Sequence, residues 1–155
     1  MKTRHEVAEW IQQLQTAGKR VVFTNGVYDL LHPGHVRYLR AARDLGDGLV
    51  VGVNSDRSVR ANKGPGRPIN GEAERAEVLS ALASVDAVVI FDEETPHALI
   101  TELQPDVLVK GADWAEDAIV GRDVVEGRGG RVVRMPVEAG YSTSTILQKV
   151  RSRLG

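Results

Sequence analysis

The chain has no cysteine among its 155 residues. That absence removes disulfides, thiolate nucleophiles and cysteine zinc sites, so any nucleophile comes from a substrate or from oxygen and nitrogen side chains. It also lacks an excess of either charge, with 20 Lys and Arg against 21 Asp and Glu for a net charge of −1. Such a balance gives no support to a nucleic-acid-binding surface. No apolar run approaches the ~20 residues that span a bilayer, and Met1-Lys2-Thr3-Arg4-His5-Glu6 is too polar for a secretory signal. Internal repeats, low-complexity tracts and linker-like shifts in composition are missing too. The expectation is one cytoplasmic domain over residues 1–155, with no membrane or nucleic-acid partner, long enough to bury a core unaided.

What is present is alternation. Thr3 and Glu6 fit a capping box, and Val7, Trp10, Ile11 and Leu14 then recur at helical spacing up to Gly18, which predicts an N-terminal helix over residues 1–18 packed on the rest. Val21-Val22-Phe23 reads as a strand, followed by a helical pattern on Val36, Leu39, Ala42 and Leu45. Leu49-Val50-Val51-Gly52-Val53 is a continuous apolar run, the mark of a strand covered on both faces. Further strands are expected over residues 85–91, 107–109 and 132–135. The intervening helices carry Ala76, Leu79 and Leu82, then Leu99, Ile100 and Leu103, then Val124 and Val125, with a last helix on Ile146, Leu147, Val150 and Leu154. Asn70 is the expected cap of the helix bearing Ala76. Residues 54–67, with Arg57, Arg60, Lys63 and Arg67 around Gly64-Pro65-Gly66, read as a long mobile basic loop. Strands alternating with helices predict a doubly wound, five-stranded parallel sheet of Rossmann-like α/β class.

One stretch organises the rest: Thr24-Asn25-Gly26-Val27-Tyr28-Asp29-Leu30-Leu31-His32-Pro33-Gly34-His35. It joins the first strand to the next helix, whose first turn carries unpaired N–H groups and the positive end of the dipole. Pro33 suits that turn, Gly34 lets a ligand approach the backbone, and His32 and His35 bring two imidazoles. A His-x-x-His pair could also be two satisfied polar residues or half a metal site. No convincing third ligand stands nearby, so the preceding strand and Gly34 favour phosphate. Ser142-Thr143-Ser144-Thr145 supplies four hydroxyls at another helix start. One would serve as a cap, and the run would suit a polyphosphate. Lys110-Gly111-Ala112-Asp113-Trp114 follows a strand directly. In doubly wound sheets ligands sit beyond the carboxyl ends of the strands, where strand order reverses, and these polar segments all fall at such ends. Taken alone, Arg75 reads as a surface charge, and His5 and His97 as inert.

Thr-Asn-Gly-x-Tyr-Asp-Leu-Leu-His-x-Gly-His, the Lys-Gly-x-Asp-Trp segment and the Ser-Thr-Ser-Thr run resemble the cytidylyltransferase-like nucleotidyltransferases with the His-x-Gly-His signature. Within that family they look most like the adenylyltransferase domains that activate heptose 1-phosphate for surface glycans. The resemblance implies AMP transfer from ATP to D-glycero-D-manno-heptose 1-phosphate, with pyrophosphate released and Mg²⁺ accompanying the nucleotide. It implies catalytic roles for His32, His35 and Lys63. Nucleotide contacts would come from Thr24, Asn25, Gly26, Gly34, Lys110, Gly111, Asp113, Ser142, Thr143, Ser144 and Thr145, and sugar-phosphate contacts from Tyr28, Asp29, Arg67, Arg75 and Trp114. It gives no dedicated protein metal ligands. A homodimer is expected by the same analogy, and a separate heptose kinase to supply the substrate. Three alternatives stay open on sequence alone: a cytidylyltransferase using CTP with a polyol phosphate, an FMN adenylyltransferase, and a non-catalytic nucleotide-binding module.

Overall fold

Strands whose alternate residues are both apolar need cover on two sides, and the chain meets that need with one layer of helices on each face. The computed structural model describes residues 2–155. Its strands are β1 (Val21–Gly26), β2 (Gly48–Asn54), β3 (Ala87–Phe91), β4 (Val107–Gly111) and β5 (Arg131–Met135). Its helices are α1 (Arg4–Thr16), α2 (Pro33–Arg43), α3 (Asp56–Lys63), α4 (Glu72–Ser80), α5 (His97–Leu103), α6 (Arg122–Gly127) and α7 (Thr143–Leu154). The sheet runs β3-β2-β1-β4-β5 with every neighbouring pair parallel, the doubly wound arrangement expected from the sequence. Strand order reverses between β1 and β4.

On one face Val7, Ile11, Leu99, Ile100, Leu103 and Val125, from α1, α5 and α6, pack with Val21, Phe23, Val50, Phe91 and Leu108. On the other, Leu39, Ala42, Ala76 and Leu79, from α2 and α4, pack with Val22, Leu49, Val51, Val53 and Val109. Each large apolar side chain buried in this way stabilises the fold by about 1.5–3 kcal/mol before conformational entropy is counted. The predicted capping box of α1 is present, with the Thr3 hydroxyl accepting from the Glu6 N–H.

Three expectations are corrected. Residues 54–67 are not one long loop, because residues 56–63 form α3, capped by Ser55 and seated by buried Ser58 and Val59. With Val59 as its one large apolar side chain, α3 has almost no periodicity to read, and only the cap marks it. The N-cap of α4 is Gly71 rather than Asn70. Asn70 turns back instead, its side chain donating to the Asp29 carbonyl oxygen at 3.0 Å. Arg75, far from being a surface charge, has a fully buried side chain. It donates to the carbonyl oxygens of Asn70 (2.9 Å) and Val27 (2.7 Å) and to Asp56 Oδ1 (2.9 Å).

Arg75 thereby ties the segment after β1 to the start of α3, and a buried acceptor stripped of its donor costs its full desolvation. Arg75→Leu is expected to lower unfolding stability by about 3 kcal/mol. Urea titration reads this as a lower midpoint at an unchanged slope.

Candidate functional site

The site begins where two strands part. Backbone pairing between β1 and β4 stops at Phe23 with Leu108, while β1 stays paired to β2 as far as Gly26 and β4 to β5 as far as Gly111. At the last point of contact the Thr24 hydroxyl donates to the Val109 carbonyl oxygen at 2.9 Å. Since its one proton is spent there, Tyr38 of α2 must be the donor in the 2.9 Å contact between the two hydroxyls. Burial pushes Tyr38 up to about 12, so this donor keeps its proton. Beyond Thr24 a cavity of about 730 Å³ opens.

The first turn of α2 forms one wall. Pro33 holds the first helical position and has no N–H, and His32 is the N-cap but makes no side-chain capping bond; its carbonyl accepts from the His35 (3.0 Å) and Val36 (3.2 Å) N–H groups, which leaves the Gly34 N–H as the uncapped donor of the turn. The imidazoles of His32 and His35 stack with centroids 3.8 Å apart. Nδ1 of each is buried without a partner, as is Asn25 Oδ1. Burial, and secondarily the neighbouring His32, holds His35 down at about 4, and burial lowers His32 as well. Both rings are therefore neutral at neutral pH and can donate a single N–H each to an anion. Gly34 is required: a Cβ there would lie 2.9 Å from the His32 ring and 3.0 Å from Cβ of Tyr141. Tyr28, at φ 52°, swings its ring to 5.2 Å from that of His35. A Cβ on Gly26 would meet the Tyr28 ring at 2.9 Å.

The first turn of α7 faces the same cavity with Ser142, Thr143 and Ser144. The Tyr141 and His32 rings, 6.1 Å apart and nearly parallel, show how closely the two helix ends approach. Ser142 is also the cap, its hydroxyl accepting from the Thr145 N–H at 3.0 Å and pairing with the Thr145 hydroxyl at 2.7 Å. Cations complete the lining. Lys110, at the end of β4, is pushed down to about 8 by burial, partly offset by Asp113, and its ammonium lies 5.5 Å from the centre of the Trp114 ring. Lys63 and Arg67 also border the space, together with Gly111, Asp113 and Trp114.

Most of the residues singled out in the sequence thus meet around one cavity, but three do not line it. Thr24 is spent on the β1–β4 junction, Arg75 on the turn after β1, and Thr145 on the α7 cap. Asp29 borders the cavity, yet its buried carboxylate accepts from the N–H groups of Ile69 (2.8 Å) and Asn70 (2.9 Å) and anchors that loop. Lining residues not foreseen include Arg37, Tyr38 and Glu138. The first two stand one turn beyond Gly34 and His35, so helical spacing could have found them. Nothing in the sequence marks Glu138.

The depressed imidazoles also bear on folding. Unfolded histidine titrates near its ordinary 6.5 and His35 near 4, so between these values the unfolded chain binds more protons. Stability is expected to fall as pH drops through about 6.5 toward about 5.5, carboxylates adding their own decline only below about pH 5. His35→Ala should flatten that decline, as measured by urea unfolding at stepped pH.

Residues 23–149 match the cytidylyltransferase-like family. Curated relatives named Bifunctional protein HldE are 55% identical over 152 residues in Geotalea uraniireducens and 56% over 146 residues in Mesorhizobium japonicum. These alignments cover 98% and 94% of this chain but only 31% and 29% of those proteins, so the chain spans less than a third of their length. Among solved structures, the lipopolysaccharide core biosynthesis protein of Thermoplasma volcanium superposes with a TM-score of 0.68 at 32% identity, covering 78% of this chain and 99% of that one. Pantothenate synthetase of Thermus thermophilus shares the fold alone, with a TM-score of 0.57 at 20% identity over 88% of this chain and 62% of that one. The helix start with its two imidazoles, the crevice between β1 and β4 and the match over residues 23–149 agree: the chain belongs to the cytidylyltransferase-like family.

Proposed function

We propose that the chain transfers AMP from ATP to D-glycero-D-manno-heptose 1-phosphate, releasing pyrophosphate and forming ADP-heptose. The observation that carries this reading is the convergence of two helix N-termini, one with paired imidazoles and one with hydroxyls, on a single cavity at the switch point. Helix starts attract phosphate through free N–H groups and the dipole. Two of them on one cavity suit a polyphosphate better than a single phosphate. The relatives named HldE and the likeness to a lipopolysaccharide core biosynthesis protein support the choice of a sugar phosphate as acceptor.

In the proposed step a phosphate oxygen of the sugar 1-phosphate attacks the α-phosphorus of ATP in line. A new P–O bond forms, the bond to the β-phosphate oxygen breaks, and the electron pair leaves with pyrophosphate. A phosphate monoester is already anionic at neutral pH, so no side chain has to remove a proton. The protein's task is positioning and charge stabilisation. His32 and His35 donate N–H bonds to phosphate oxygens beside the first turn of α2, and an arriving polyanion raises their affinity for protons. Lys110 and Lys63 supply positive charge, and Ser142, Thr143 and Ser144 with the α7 amides receive the leaving phosphates. Among the described residues no three His, Asp or Glu side chains are grouped to hold a metal. Mg²⁺ would accompany the nucleotide and would supply neutralisation of phosphate charge.

Pyrophosphate release across a panel of nucleoside triphosphates and sugar phosphates tests the reading, and release with CTP and a polyol phosphate alone would overturn it. His35→Ala is expected to lower turnover by about two to four powers of ten, with little loss of stability at pH 7. Because the Lys110 ammonium loses its proton near pH 8, kcat/KM is expected to fall as pH rises through that value, and Lys110→Met should remove this alkaline limb.

A further inference from the structure

Arg37 is a cation of the cavity wall that the proposed step does not use. It stands on α2 one turn beyond Gly34, with its guanidinium 5.3 Å over the centre of the Tyr141 ring and Nη1 2.5 Å from Glu138 Oε2. Tyr141 directly precedes the Ser142 cap and also stacks on His32. The arginine therefore sits where the two phosphate-seeking helix ends meet. The other cations are placed differently: Arg67 lies 3.5 Å from the buried Asp29 carboxylate, and Lys110 is beside Asp113 and Trp114.

Glu138 is the anomaly. A carboxylate on the wall of a cavity read as a polyphosphate seat repels the ligand, unless its charge is matched until the ligand arrives. The Arg37 and Glu138 side chains are 52% and 44% exposed, and an ion pair that open to water is weakly held. Glu138 takes only one guanidinium N–H, whereas a polyphosphate carries more negative charge and offers oxygens for two parallel bonds to the fork, so it competes for Arg37 against that single bond.

We propose that Arg37 is a further binding residue for the polyphosphate tail, held by Glu138 in the ligand-free protein and transferred to phosphate oxygens on binding. Glu138 is the competing anion that sets the affinity. The inference rests on the reading of the cavity as a polyphosphate site. A brace that merely fastens residues 136–141 to α2 would be weakened by loss of either partner. A held cation gives opposite signs for the two.

The test is calorimetric titration with inorganic pyrophosphate of the wild type, Arg37→Gln, Glu138→Gln and the double variant. Arg37→Gln is expected to weaken binding about tenfold, and Glu138→Gln to tighten it about threefold. In the Arg37→Gln background the glutamate substitution should tighten binding by a smaller factor, because only direct repulsion is relieved there and no competition for the guanidinium. Arg37→Lys, which keeps the charge but not the fork, should weaken binding by a smaller factor and serves if Arg37→Gln folds poorly. Weakening by both single variants, or equal tightening by Glu138→Gln with and without Arg37, would overturn the inference. So would unchanged affinity in every variant of a protein that binds pyrophosphate. A wild type that fails to bind pyrophosphate removes the polyphosphate reading itself, and this inference with it.

Discussion

The structure depends on a single bond made where the sheet opens. A parallel sheet pairs its strands along their length, and a crevice requires that pairing to stop without leaving buried carbonyls unsatisfied. The Val109 carbonyl lies at that point, and the Thr24 hydroxyl rather than a backbone N–H satisfies it. The Thr24 hydroxyl also receives the Tyr38 proton, so β1, β4 and α2 are fixed to one another through one side chain. Lys110 follows Val109 directly, and His35 stands three residues before Tyr38 on the same helix. The relative placement of imidazole and ammonium is therefore set by a hydroxyl that never reaches the cavity.

Around this junction the protein keeps groups unpaired. Nδ1 of His32, Nδ1 of His35 and Oδ1 of Asn25 are buried without partners, and each such atom costs stability unless a ligand completes it. Held neutral by burial, the imidazoles would, on the proposed reading, meet phosphate charge as dipoles fixed beforehand. The buried Arg75 and Asp29 do the opposite work. Their polar atoms are taken up by backbone groups of the flanking turns, which holds the segment between β1 and α2 in its shape. Asp29, buried to shape the loop, lies between Asn25 and His32, whose buried polar atoms are left unpaired.

Much of this was legible in the sequence where patterns repeat. The continuous apolar run over Leu49 to Val53 announced a strand covered on both faces, and Asn25, His32, Gly34, His35 and Ser142 could be placed at strand ends and helix starts by chemistry alone. What escaped was non-periodic or tertiary. Helix α3 buries only Ser58 and Val59, so its composition read as a loop. Arg75 looks like any helical surface arginine until the carbonyls of Val27 and Asn70 arrive from 48 and 5 residues away. Thr24 and Thr145 have the chemistry of ligand contacts, and only coordinates show their hydroxyls already committed. Glu138 becomes meaningful solely through its distance to Arg37.

The two helix ends that face the cavity are not built alike. Helix α2 is seated by fully buried Leu39 and Ala42 and tied to β1 at mid-length through Tyr38, so the imidazole wall rests on many buried contacts. Helix α7 has no buried residue, and Val150 and Leu154 are among the most exposed apolar side chains of the chain. Its first turn is positioned by its own cap and by residues 136–141, which reach back to α2 through the stacking of Tyr141 on His32. Elements with few buried contacts are the ones that move at low cost. On the proposed reading this asymmetry suits the reaction: the stiff half fixes the α-phosphorus against the attacking oxygen, and the loosely seated half holds and then releases the pyrophosphate. A cavity with two equally rigid walls would bind the leaving group tightly and part with it slowly.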